Sequence, residues 1–190
     1  EPLIDDEWPG DLRVEVLQNL PGIHTEIHDR YLREIPRVRH QLLIENAYML
    51  YDPVVDAVNA KAREGVRTVV IVPSNDLNDE ALARDAFLWI QNDMVRSGVE
   101  LYKYRERMSH GKVAVFDQQQ ATIGTTNLDA FAMVHNAEVN LWLDDHRFAQ
   151  DLTQRVFVQD IPNSNRVKVR KLSFWEKVRG RIMYSMRRFL

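Results

Sequence analysis

His110 and Lys112 stand two residues apart, Asp117 follows five residues after the lysine, and Gly124-Thr-Thr-Asn127 comes after a gap of six. These residue types suit phosphoryl chemistry: a neutral imidazole can attack phosphorus while an adjacent ammonium holds a non-bridging oxygen. Lys112-Val-Ala-Val-Phe-Asp117 is a short apolar run rich in β-formers and reads as a strand buried on both faces. Side chains two apart on a strand point the same way, so His110 and Lys112 share a face at its start. Asp117 falls on the opposite parity at the far end, where a supporting structural role suits it better than contact with phosphate. Gly124-Thr125-Thr126-Asn127 follows a second short strand, Ala121 to Ile123, and leads into a short helix over Leu128 to Met133. A small-residue turn opening a helix offers backbone N–H groups to phosphate.

Taken together, His-x-Lys-x-x-x-x-Asp followed by Gly-Thr-x-Asn resembles the signature of the phospholipase D superfamily, the HKD motif. The resemblance implies phosphodiester or phosphatidyl transfer through a histidine nucleophile and a phosphohistidine intermediate. It also implies that the Lys112 ammonium and the Asn127 amide hold the phosphoryl oxygens, with Gly124 and Thr125 on the substrate side. Thr125 stands where many relatives carry Ser, so a hydroxyl is kept. Asn136-Ala-Glu138 opens a further strand with Glu138, Asn140 and Trp142 on one face. It resembles the family's Asn-x-Glu segment, whose carboxylate bonds the far nitrogen of a catalytic histidine and fixes its tautomer. The implied catalytic set is His110, Lys112, Asp117, Asn127 and Glu138. Tyr48 and Tyr51 resemble aromatic residues near the site mouth, with Tyr48 assigned to substrate binding. The family's chemistry needs no cofactor and no metal, and His24 and His28 lack carboxylates at matching spacing and read as a surface pair.

The family's reaction uses two histidines, one to form the covalent intermediate and one as general acid and base. The five other histidines, His24, His28, His40, His135 and His146, have no lysine two residues on. The second motif is therefore expected from a missing N-terminal half or from an identical chain in a homodimer. The chain begins Glu1-Pro2, and the acidic, turn-rich stretch Asp5 to Gly10 looks like a connector. The order that follows resembles the opening of the second half of bacterial cardiolipin synthases, which makes a C-terminal half the leading expectation. The alternatives are a homodimeric nuclease or phosphodiesterase of the same family, or a non-catalytic lobe that binds lipid.

Periodicity and punctuation predict the elements that must position these residues. A helix ends near Ile35, a strand covers Leu42 to Tyr48, and a helix runs from Pro53 to Glu64 with Gly65 closing it. A β-branched strand spans Val66 to Val72, a long helix Asp79 to Ser97, a strand Val99 to Tyr104, and a last helix Asp144 to Val158. Helices alternating with strands predict an α/β lobe with a mixed sheet, part of it antiparallel because Gln118 to Gln120 is too short for a crossover. The expected organisation is a connector over 1–20, a phospholipase D-like lobe over 21–165, and a basic amphipathic tail over 166–190.

Charge bears on the partner. Residues 166–190 hold nine basic side chains against Glu176 alone, so the remainder is strongly acidic although the net charge is only −3. Nucleic-acid affinity is dominated by phosphate neutralisation, and an acidic body counts against that use. In the tail, Ser173 and Glu176 fit a capping box, and Phe174, Val178, Ile182, Met186 and Leu190 recur every four residues. This helix is expected either to pack on the domain or to lie on an anionic leaflet as a peripheral attachment to a bacterial membrane. With no cysteine, a disulfide framework and a thiolate metal site are excluded.

Overall fold

The computed structural model describes residues 12–76 and 81–186. Its centre is a mixed nine-stranded sheet in the order β2 (His24–Thr25), β1 (Val14–Leu20), β8 (Glu138–Leu143), β7 (Gln120–Gly124), β6 (Lys112–Phe116), β3 (Gln41–Asn46), β4 (Arg67–Pro73), β5 (Glu100–Tyr104), β9 (Ser164–Arg166), flanked by helices on both faces, which is the expected α/β class. The parallel part is β3 (Gln41–Asn46), β4 (Arg67–Pro73) and β5 (Glu100–Tyr104), linked by α2 (Asp52–Arg63) and α3 (Ala81–Arg96). Parallel neighbours need long crossovers, and these two helices supply them. β6 (Lys112–Phe116), β7 (Gln120–Gly124) and β8 (Glu138–Leu143) continue from β3 as an antiparallel meander.

The β6–β7 hairpin closes at Asp117 and Gln118, whose φ values of 53° and 57° are those of a tight turn that follows the sheet twist. Asp tolerates the left-handed region better than most side chains, which suits Asp117 to this corner.

Two of the expected boundaries differ in the structure. The stretch 1–20, expected as a connector, contributes β1 (Val14–Leu20), which pairs antiparallel with β8 over six residue pairs and carries the short β2 (His24–Thr25). Val14-Glu-Val-Leu-Gln-Asn-Leu20 alternates apolar and polar residues, a strand signal that the acidic residues before it obscured. Asp5 to Gly10 themselves, and the start of the long helix at Asp79, lie outside the described residues.

The region from 166 onward is also joined to the lobe. β9 (Ser164–Arg166) pairs with β5, and α6 (Phe174–Ser185) packs on α3.

One hydrophobic cluster lies between the sheet and α1 (Glu26–Glu34), α2 and α3, with Tyr31, Phe116 and Trp142 in edge and tilted ring contact at its centre. A second, around Leu43, Val69, Val115 and Phe157, lies under α4 (His146–Leu152), a π-turn over Thr153–Phe157, and α5 (Val158–Asp160). The predicted helix over 144–158 is thus one helical stretch with a π-turn inside it. Phe87 is buried and Trp89 partly buried, both in core packing.

Candidate active site

Lys112 is buried at the start of β6, and His110 lies just before it on the exposed rim. Lys112 Nζ reaches the His110 carbonyl and His110 Nδ1, each at 3.0 Å. The shared face expected from their spacing is present, and the ammonium is held against the imidazole by the chain's own geometry.

Opposite Lys112 in the β3–β6 register stands Asn46, buried at the end of β3. Its Oδ1 accepts the N–H groups of Tyr48 (3.1 Å) and Leu128 (3.0 Å), and its Nδ2 donates to the Thr126 carbonyl (3.2 Å). Asn140 on β8 does the same from the other side, with Oδ1 accepting from Thr126 Oγ1 (2.8 Å) and Thr126 N (3.3 Å). Its Nδ2 donates to Thr122 Oγ1 (3.1 Å). Two buried amides therefore clamp the Gly124–Asn127 turn between β3 and β8. Both were missed as site residues, although a polar letter closing the apolar run Leu42-Leu-Ile is a signal that could have found Asn46.

The turn itself differs from the expected phosphate cradle. Thr125 N donates to the Val139 carbonyl at 2.9 Å, and the N–H groups of Thr126 and Leu128 are taken by Asn140 and Asn46. The helix behind it is a π-turn over Phe131–His135, with Asp129 Oδ1 accepting from Ala132 N at 2.8 Å. Three of the turn's backbone donors, those of Thr125, Thr126 and Leu128, are thus taken by the fold. Gly124 is required for close approach instead: a Cβ there would lie 2.2 Å from Asn140 Oδ1 and 2.3 Å from the Val139 carbonyl. Asn127 is half-buried with its Oδ1 buried and unpartnered among the described residues.

Glu138 and Thr125 are brought together. The Thr125 hydroxyl donates to Glu138 Oε2 and accepts from Val139 N at 3.0 Å. Glu138 is thus held by Thr125, while His110 Nδ1 faces Lys112 Nζ.

Asp117 sits at the opposite end of β6 from His110. Its carboxylate accepts three backbone N–H groups, from Arg39 and His40 at 2.7 Å each and from Gln41 at 2.8 Å. Burial pushes its pKa up, but those three donors outweigh it and hold the carboxyl below its usual range. The third letter of the motif is a structural clip.

Tyr48 is half-buried at the C-terminal end of β3 and lines a small cavity with Ala47, Val72 and Phe87. Tyr51 OH meets His28 Nε2 at 2.9 Å on the α1–α2 side.

Comparison with known proteins gives the lineage. The family described as "Cardiolipin synthase, PLD-like domain" matches residues 31–160. Cardiolipin synthase B of Salmonella typhi is 29% identical over 167 residues, covering 86% of this chain and 40% of the relative. The chain therefore spans well under half the length of that protein. Two solved structures share the fold. Nuc, a phospholipase D family member from Salmonella typhimurium, is 14% identical with a TM-score of 0.69, covering 82% of this chain and 99% of its own. Phosphatidylserine synthase of Haemophilus influenzae is 15% identical with a TM-score of 0.74, covering 93% of this chain and 45% of its own. A family match across two thirds of the chain, over the segment that holds His110, Lys112, Asn127 and Glu138, makes this protein a member of the phospholipase D-like family of cardiolipin synthases.

Proposed function

We propose that this lobe is the C-terminal catalytic half of a cardiolipin-synthase-like phospholipase D, moving a phosphatidyl group to an alcohol through a phosphohistidine. The observation that carries the reading is the placement of Lys112 Nζ against His110 Nδ1 at 3.0 Å on an exposed rim. Attack on a phosphodiester needs the Nε2 lone pair, so in the reacting tautomer Nδ1 carries the proton and Lys112 Nζ turns to the phosphoryl oxygens. Lys112 and the Asn127 amide supply charge and a donor for the phosphoryl oxygens as negative charge grows in the five-coordinate transition state. No metal ion enters the scheme. The second histidine, needed to protonate the leaving alkoxide, comes from another lobe. The chain's 40% share of a cardiolipin synthase supports a lobe in the same polypeptide, whereas its match to 99% of Nuc supports an identical chain in a symmetric dimer.

The substrate side also involves a membrane. α6 turns Gly180 onto α3, where an added Cβ would stand 3.4 Å from the Asp85 carbonyl and 3.6 Å from Trp89 Cβ, with Met183 and Tyr184 packed beside it. The ridge read from the sequence faces the other way: Phe174 and Trp175 are 70% and 75% exposed, and Ile182 and Met186 are exposed too. Lys177, Arg179 and Arg181 are exposed on the same helix. The helix thus packs on the domain through Gly180, Met183 and Tyr184 and not through its apolar ridge, which is left open to an anionic bilayer surface. Among the described residues no helix is long and apolar enough to cross a membrane. Arg187, Arg188 and Leu190 lie outside the described residues.

Phosphatidyl transfer on mixed phospholipid vesicles, measured for the chain alone and for the two-motif protein, tests the reading. Transfer that needs a second motif and persists in excess chelator is expected. Loss on chelation with rescue by a divalent cation would contradict it.

A further inference from the structure

Glu45 is a buried acid that the proposed chemistry does not use. It lies on β3 with its side chain on the opposite face from Asn46, 4% exposed, paired in register with Val113 of β6. Its carboxyl grips both neighbours of His110. On one side Oε1 accepts the hydroxyl of Ser109, itself 5% exposed. On the other it lies so close to Gly111 that a Cβ there would stand 2.7 Å from Oε1 and 3.2 Å from Cδ. No larger residue fits at 111 while Glu45 holds this position.

We infer that Glu45 is a positioning residue: its carboxyl fixes the Ser109–Gly111 backbone, and through it the direction in which His110 projects. The inference rests on His110 as the reacting group. Glu45 Oε2 has no partner at ordinary hydrogen-bond length among the described residues. A buried carboxylate oxygen left bare costs more than a protonated one, because a charge as well as a hydrogen bond is lost from water. The charged groups acting on this carboxyl are Asp160 at the end of α5, which repels its ionised form and shares a hydrogen bond with its protonated form, and Arg107 in the loop before β6. Burial first, then Asp160, push the pKa up to about 7 against the opposing pull of Ser109 and Arg107. Raising the pH through that value places a negative charge beside Asp160 in a buried site, and their repulsion drives the carboxyl from its seat against Gly111 although the charge strengthens the bond from Ser109. The same geometry that aims His110 is therefore sensitive to pH in the neutral range.

The test compares the two-motif protein with its Glu45→Gln, Glu45→Ala and Ser109→Ala variants between pH 5.5 and 8.5, reading kcat, KM and the melting temperature. Glutamine keeps an oxygen for Ser109 and cannot ionise. The kcat ratio of Glu45→Gln to wild type should therefore rise about fivefold or more from pH 6 to 8.5, with KM unchanged. Glu45→Ala and Ser109→Ala should lower kcat at every pH. The melting temperature provides a readout independent of activity. A folded pKa above the unfolded one gives stability that is present at low pH and lost as pH rises through the folded value. Wild type should then lose melting temperature against Glu45→Gln over the same interval. Should Glu45→Ala fail to fold, the Gln and Ser109 variants still decide. A flat kcat ratio overturns the inference, even if the melting temperatures diverge, because Glu45 would then be a buried acid without influence on His110. Full activity in His110→Ala would overturn it by a different route, through failure of the site reading itself.

Discussion

Asp117 and Gln41 form a two-way clasp: the Asp117 N–H donates to the Gln41 carbonyl at 2.8 Å, and Asp117 Oδ1 accepts the Gln41 N–H at 2.8 Å. With Arg39 and His40 also donating, one carboxylate fixes the start of β3 against the end of β6. Those two strands carry Asn46 and Lys112 at their other ends. Asp117 thus acts on the site through the register it sets.

Removing this clip should appear as lost stability. Asp117→Ala leaves three backbone donors without their acceptor and is expected to cost about 2 kcal/mol, or a fall of about 5 °C in melting temperature. A lowered folded pKa gives stability present above the unfolded value and lost as pH falls through the folded one. The gap to wild type should therefore be full at neutral pH and close below about pH 4. A gap of equal size at both ends of that range would argue against the carboxylate as the cause.

Lys112→Ala and Asn127→Ala are expected to lower kcat by roughly 100-fold or more, the size of a lost transition-state donor. Steady-state kinetics on the folded two-motif protein checks this. If Asn127→Ala raised KM alone, its amide would be a ground-state contact.

Gly124→Ala should destabilise by about 1–3 kcal/mol, as overpacking does, because the added methyl meets Asn140 Oδ1 and the Val139 carbonyl. Thermal unfolding reads it directly. A neutral result would mean that β7 and β8 separate freely at this point.

Much of this was legible in the letters, because the catalytic motif and the elements around it are local signals. His110 and Lys112 share a face by strand parity alone, and Ser173 with Glu176 forms the capping box that their spacing announced. What was not legible depends on approach between distant strands. The roles of Asn46 and Asn140 exist only because β3 and β8 flank the same turn, and the grip of Glu45 on Gly111 is a contact across the β3–β6 ladder. The tail shows the limit of periodicity. A four-residue repeat found the apolar ridge from Phe174 to Met186, but the face that packs on α3 is centred on Gly180, which carries no hydrophobic signal.

The two faces of α6 can be separated by mutation. Phe174→Ser with Trp175→Ser should weaken binding to liposomes rich in anionic lipid by about tenfold and leave the melting temperature unchanged. Gly180→Leu should do the reverse, forcing the helix from α3. Salt should weaken binding of the intact chain, since the Debye length falls to ~3 Å at 1 M. Undiminished, salt-insensitive binding by the double variant would refute a membrane role for the ridge.

The most direct measurement of the central claim is turnover by His110→Ala in the complete two-motif protein, alongside its melting temperature. His110 is exposed on the rim, so the fold should survive its removal. The prediction is an unchanged melting temperature with transfer reduced to background. Transfer within about tenfold of wild type would contradict a reaction through this imidazole, since removing a covalent nucleophile or its general-acid partner costs several orders of magnitude.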